Sequence, residues 1–499
     1  MPEYLRSLLV ILVLATVLFA YAGRTASAII GGEHFTTRRN LWFGITLAAF
    51  LAPNFWVYSF IAILLLSYAN RRETNPTALF FFILFALPIA YAQIPGFGLI
   101  NYFFDLSHAR LLALFLLLPA YIALVRDSNY LKFGRTGPDK FLAAYLFLTA
   151  ILHLRDASIT ETLRQTLNLI MDVFLPYFVI SRSLKNMQVF KDALMSLLLA
   201  TMLVALFAGF ESYKQWLLYI PLIDKLDLKQ GQAGYLARDG LIRVMSSAGF
   251  SISLGYLMVV GIGIYLFLQK SIGQKLQSRL SILLLIAGLI VPWSRGPWVG
   301  GVLLLIVFIA TGRNPVRRLL SFGLAGMIIL ALLPMFPGGE RIFNLLPIIG
   351  TSEKSTIDYR NELINVSLIN IQRNPWFGSV NYLDAPEWQP LYINHLIDIV
   401  NTYFQIALED GLVVLGLFVG FFVSIVFGLY RAMHTLLDKD SEEYLLGRAL
   451  LATQLAILFI IGTVSNITII PIVYWSVAGL GVAYAQMVRM QAIRSREIN

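Results

Sequence analysis

The chain has 499 residues, of which 58% are hydrophobic, only 13% are charged and none is cysteine. Soluble domains carry about twice that charge, so a soluble enzyme is excluded, and the lack of cysteine removes disulfides, thiolate zinc sites and thiol nucleophiles. The net charge of +10 sits mostly in short loops between apolar runs. That is the positive-inside pattern, not a nucleic-acid-binding surface, and no nucleic-acid partner is expected.

Apolar runs near the ~20 residues that span a bilayer recur along the chain. They predict membrane helices over 7–23, 41–69, 77–95, 109–125, 141–154, 164–182 and 191–210. Further ones follow over 248–268, 279–293, 297–311, 319–335, 400–430, 446–464 and 471–488. Only Arg6 closely precedes the first run, with no convincing small-residue cleavage pattern, so it reads as a membrane helix and not as a removed signal. The second contains Pro53, which kinks a helix or splits it into a hairpin. The expectation is an all-α polytopic membrane protein, a single integral membrane domain over 1–499 with about 12–14 transmembrane helices.

Alternate loops collect the basic residues: Arg71 and Arg72, then Arg126 to Lys140, Lys185 and Lys191, Lys270 to Arg279, Arg313 to Arg318, Arg431 and Lys439, and Arg489 to Arg496. That face is expected to be cytoplasmic, in a bacterial inner membrane, with both termini on it. The loop with Arg24, Arg38 and Arg39 is an exception on the other side. Two segments on the outer side are long, 211–247 and 336–399, the second with short helices. Loops of that length are usually functional, and both are expected to be periplasmic.

The turn VPWSRGPWVGG (291–301) carries Arg295 between two apolar runs. Pro297 suits a first helical position, which would leave the N–H groups of Trp298 and Val299 facing outward and make the turn an anion site. Snorkelling at a turn is the alternative for Arg295. Further arginines lie in the outer segments: Arg238, Arg243, Arg341, Arg360 and Arg373. Arginine forks suit diphosphates, although any one of these arginines alone reads equally as a loop charge paired with a neighbour such as Glu362. At the entry to the 400–430 run, Asp398, Thr402, Gln405 and Glu409 fall at helical spacing as one polar stripe, with His395 and Asn401 beside it. Polar groups on a membrane helix are costly and usually functional.

The SRGPWVG turn, the R-x-E…NPWFG element and the VNTYFQIALEDGLVVLG stretch resemble the O-antigen ligase/polymerase superfamily over roughly Arg243 to Gly416. The resemblance implies a GT-C-type membrane glycosyltransferase that uses a polyprenyl-diphosphate-linked glycan, normally on undecaprenyl diphosphate. No metal or other cofactor is implied, and Arg243, Arg295 and Arg360 would bind the diphosphate leaving group. Many members have His-Asn where this chain has Val400-Asn401. The base would then be Asp398, or His395 if its loop folds back. Loss of the histidine favours a Wzy-type exopolysaccharide polymerase over a lipopolysaccharide O-antigen ligase. A flippase and a chain-length co-polymerase are implied partners, alongside membrane lipid. A lipid-linked oligosaccharide flippase is the reading from another class, but the repeated halves expected of a transporter are not visible.

Overall fold

The computed structural model describes residues 1–98, 101–128, 131–155, 158–229, 235, 237–238, 240–273, 275–336, 339–345, 354–392 and 397–498. The first helices are α1 (Glu3–Ile30), α2 (Gly32–Leu51), α3 (Phe55–Asn70) and α4 (Pro76–Ile83). Asn54 and Asn75 cap α3 and α4 by accepting from backbone N–H groups of the first turn, donors that a helix start otherwise leaves over. The run over 41–69 is two helices, the hairpin alternative at Pro53, with the second capped afresh by Asn54.

The expected span 77–95 also ends early. Pro88, Pro95 and Gly96 interrupt the helix, and β1 (Tyr91–Pro95) pairs antiparallel with β2 (Tyr102–Ser107). Helix α5 (His108–Leu112) continues through a π-helical turn (Ala113–Leu117) into α6 (Leu118–Arg126). After α7 (Gly137–Leu152), α8 (Ile159–Leu169) passes through a second π-helical turn (Ile170–Phe174) into α9 (Leu175–Ser183). In both, a proline follows the wide turn, Pro119 and Pro176. Proline lacks the N–H that a regular ladder needs there.

Next come α10 (Met187–Lys214), α11 (Ile220–Lys225), the short pair β3 (Ala237–Arg238) and β4 (Leu241–Ile242), then α12 (Ser251–Leu268), α13 (Lys275–Ile290), α14 (Arg295–Ala310) and α15 (Pro315–Leu332). Helices α16 (Gly339–Leu345) and α17 (Lys354–Arg373) belong to the second long segment. The chain continues with α18 (Thr402–Glu409), α19 (Gly411–His434), α20 (Glu442–Ile461) and α21 (Ile470–Ile498). Among the described residues, eight helices are long and apolar enough to cross a membrane, and the protein is an all-α polytopic membrane protein. Helices α3 and α14 are as apolar but have 16 residues each. That is about 24 Å at 1.5 Å per residue; the expected twelve to fourteen counted such helices as full spans.

Helices α10, α12 and α20 are buried at the centre, whereas α15 buries no side chain. Helix ends sort onto two faces. Gln188 donates to the Ile29 carbonyl, so the end of α1 lies with the start of α10. Trp216 Nε1 donates to Glu3 Oε1 at 2.7 Å, so the Glu3 end of α1 lies beyond the far end of α10. Helix α21 starts where Ser253 meets Thr468 and ends beyond the point where Tyr484 packs against Gly447. The Glu3 end of α1 and the far end of α21 therefore lie on opposite faces, which corrects the expectation of both termini on one side. The extra crossing made by splitting at Pro53 is the reason. The same crossing removes the exception. Arg38 lies on the face of the basic loops, fully buried, with Nε and Nη2 at 2.8 and 2.9 Å from the Glu73 carboxylate and further bonds to Asp192 and Ser196.

The opposite face carries both long segments. The second has its own small core, in which Leu363, Val366, Trp388, Leu391 and Ile399 pack on Ala407 and Leu408 of α18.

Candidate functional site

Arg295 opens α14, with Ser294 as N-cap residue. The N–H groups outside the helix's own ladder are thus those of Arg295 and Gly296, not of Trp298 and Val299 as expected. Pro297 is the third helical residue instead of the first. The preceding Trp293 holds a left-handed φ of 53°, at a cost of about 1 kcal/mol for an L-residue. Trp298 Nε1 donates to the Leu289 carbonyl at 2.8 Å and braces the turn. Arg243 joins here: its Nη2 donates to Ser294 Oγ at 3.2 Å. Both arginines are half-buried.

Gly296 lies against Thr463, whose hydroxyl would be 2.3 Å from an added Cβ. Two residues on, the Ser465 hydroxyl hydrogen-bonds to Asp398 and also contacts the Ile399 carbonyl at 3.0 Å. The connection between α20 and α21 therefore links the Arg295 turn to Asp398. Asp398 itself is not on a helix. Asn401 caps α18, accepting from the N–H groups of Tyr403 and Phe404 at 2.9 and 3.2 Å, so the helical stripe begins only at Thr402. Thr402 is fully buried and donates to the Val464 carbonyl at 2.8 Å. Asn401 and Thr402 thus have structural partners.

Arg360 is exposed on α17. Its neighbour Tyr359 donates to the Leu391 carbonyl at 3.2 Å. Burial, helped by the charge of Asp398, holds the Tyr359 phenol above its usual range. Arg373 pairs with Glu387, 3.0 Å from Nη1 to Oε2, as a loop charge. His395 lies outside the described residues, as do the side chains of Arg238 and Arg341.

The NPWFG and LEDG stretches meet backbone to backbone. Ser379 N–H donates to the Leu408 carbonyl at 2.8 Å and Leu412 N–H to the Pro375 carbonyl at 2.7 Å. Gly378 and Gly411 have φ of 63° and 85°, and an added Cβ would lie 2.5 Å from the Glu409 carbonyl oxygen and 2.3 Å from that of Trp376. Only glycine fits either place. Arg155, between α7 and α8, closes this clasp by donating to the carbonyls of Phe377, Gly378 and Glu409 at 2.7, 3.2 and 3.1 Å.

Beyond the α20–α21 connection, a cavity of about 510 Å³ opens between β2, α7, α8, α18 and residues 466–475. Gln405 and Glu409 line it, together with Asp105, Arg110, Asp172 and Asn466. Gln405 Oε1 accepts from Asn466 N–H at 3.1 Å, and Glu409 Oε1 accepts from Gln405 Nε2 at 3.3 Å and from the Tyr382 hydroxyl at 3.2 Å. Burial, reinforced by the Glu409 charge, pushes the Tyr382 phenol well up, so it stays a donor. Arg110 Nη2 holds Asp172 at 2.9 Å, and Asp172 sits in the second π-helical turn, a kind of irregularity common at functional sites. The sequence reading missed this cavity. A signal existed: Gln165, Asn168 and Asp172, with Glu161 just before them, recur at helical spacing at the start of the 164–182 run.

No curated protein matches the chain in sequence. Residues 280–419, from α13 through the Arg295 turn and Asp398 into α19, match the family model described as O-antigen ligase. Arg243 lies outside the matched segment. The match supports membership of the O-antigen ligase/polymerase superfamily.

Proposed function

We propose that this protein is a glycosyltransferase that moves a glycan chain from a polyprenyl diphosphate, normally undecaprenyl diphosphate, onto the sugar of an incoming lipid-linked repeat unit. The supporting observation is the Arg243–Ser294 hydrogen bond, which joins an arginine from the first long segment to the Arg295 turn of the family-matched domain. Two guanidinium groups there suit a diphosphate. Their charge would act as the glycosyl–phosphate bond breaks and negative charge grows on the leaving oxygen. The acceptor hydroxyl would attack the anomeric carbon and give its proton to Asp398, with His395 as the other candidate. Arg360, exposed on α17, would complete the diphosphate site. No metal is needed in this scheme. The site face would be periplasmic, since the basic loops lie on the other one, and a flippase and chain-length co-polymerase would work beside it.

Transfer with purified lipid-linked repeat unit tests the reading. Arg295→Ala should lower the rate by about a hundredfold or more; a folded Arg295→Ala protein with normal transfer would refute it. The family match is equally consistent with a second reading, an O-antigen ligase that would transfer the finished chain to lipid A–core. A null strain separates the two. Single-repeat glycan marks a polymerase; full-length glycan stranded on carrier lipid marks a ligase.

A further inference from the structure

The cavity beside α18 has a chemistry of its own. Among the described residues, four carboxylates line it, Asp105, Asp172, Glu409 and Asp410, against one guanidinium, Arg110, with His153 also at the wall. Arg110 is already engaged by Asp172, so the field inside is negative. Three buried polar atoms in the same lining have no hydrogen-bond partner: Thr149 Oγ1, Asp105 Oδ1 and Asn168 Oδ1. Thr149 is only 3% exposed. Buried polar atoms are normally satisfied, and each exception calls for an explanation. Two of these three can only accept, so their complement is a ligand rich in N–H or O–H donors. Tyr145, Tyr474 and Trp475 add apolar ring surface to the lining. The volume of about 510 Å³ falls within the roughly 300–1,000 Å³ of small-ligand sites.

We propose that this cavity is the sugar compartment of the protein, and that it takes neutral or amino-bearing sugar units and rejects units that carry carboxylates. A sugar hydroxyl or ammonium supplies the donors that Asp105 and Asn168 require. A uronate brings no donor on its acid group and places a like charge among four carboxylates, the repulsive element by which a site excludes a near relative. The proposal rests on the glycan-transfer reading for its biological meaning, but binding is measured without transfer.

The test uses the purified full-length protein and ligand-observed saturation-transfer NMR at low ionic strength. Three size-matched probes are compared: N,N′-diacetylchitobiose, the free-amine glucosamine disaccharide, and a disaccharide of glucuronic acid and N-acetylglucosamine. N,N′-diacetylchitobiose and the glucosamine disaccharide should bind roughly tenfold or more tighter than the uronate. Asp105→Asn should narrow that gap severalfold. Thr149→Val should weaken sugar binding while leaving thermal stability unchanged or raised, because the hydroxyl it removes has no protein partner; a purely structural role would move stability and leave binding alone. Equal or tighter binding of the uronate, or no binding of any probe, overturns the proposal. Binding is read on the unsubstituted protein with no lipid-linked donor or acceptor present, so a failure of the transferase reading leaves this result standing and is told apart from it.

Discussion

Arg155 Nη2 donates to the backbone carbonyl of Glu409 at 3.1 Å, so a cation from the α7–α8 turn closes the C-terminus of α18, where the helix dipole favours positive charge. The same guanidinium holds Phe377 and Gly378. Arg155→Ala should lower stability by about 1 kcal/mol, the scale of an exposed charge-assisted site. It should also speed proteolysis within 374–392. Limited proteolysis beside a thermal melt checks both, and Arg155→Lys should recover little because one ammonium cannot reach three carbonyls.

Gly378→Ala and Gly411→Ala should each cost about 1–3 kcal/mol or prevent folding, because both need a left-handed φ and both leave no room for a Cβ. Gly416→Ala is the contrast. It lies in α19 with nothing within 4 Å of an added Cβ, and should stabilise by roughly 0.5–1 kcal/mol. Thermal melts followed by size-exclusion chromatography read all three.

Hydropathy located most helices, because apolar length is a local property that a sequence displays directly. It failed where a local breaker changed the count. Pro88 with Pro95 turned a run into a β-hairpin, and at Pro53 the chain took the hairpin instead of the kink, as α2 and α3. The Arg295 turn was legible because an arginine between apolar runs has few explanations. The Asp398–Glu409 stripe was misread, since Asn401 starts the helix after Asp398. For the cavity only the polar stripe of Gln165, Asn168 and Asp172 was legible, because Asp105, Asn168, Glu409 and Asn466 are brought together only by the packing of distant segments.

Ser294→Ala should lower glycan transfer less than Arg243→Ala or Arg295→Ala does, since it removes one contact to Arg243 and a bond to the Pro292 carbonyl but keeps both guanidinium groups. Arg243→Lys and Arg295→Lys should each remain well below the unsubstituted rate, because an ammonium lacks the planar fork. Steady-state transfer rates of these variants decide it; lysine variants with full activity would count against bidentate recognition.

On the basic face, burial alone would raise the Glu73 pKa, but the hydrogen bond and charge of Arg38, with the N–H of Asn75, bring it below the ordinary carboxylate value. A depressed folded pKa means stability that is present above the unfolded value, about 4.3, and lost as pH falls through the folded one. Glu73→Gln should destabilise by about 3–5 kcal/mol at pH 7, leaving Arg38 short of a buried partner. It should also flatten the decline in stability below about pH 4. Melts from pH 3 to 7 test the sign.

The chain contains no cysteine, so single cysteines report topology cleanly. Pro2→Cys and Glu387→Cys should react with a membrane-impermeant maleimide from the same side, and Lys439→Cys only from the other. Labelling of Pro2→Cys together with Lys439→Cys would restore the arrangement with both ends on one face.

The connection between α20 and α21 touches the Arg295 turn through Thr463, holds Asp398 through Ser465, and offers Asn466 and Thr468 to the cavity. It is a party wall between two rooms. An occupant that shifts this backbone from one side alters the seat of whatever occupies the other, and linkage makes the influence mutual and equal in free energy. Sugar in the cavity and diphosphate at the arginines would then sense each other through six residues of backbone, without meeting.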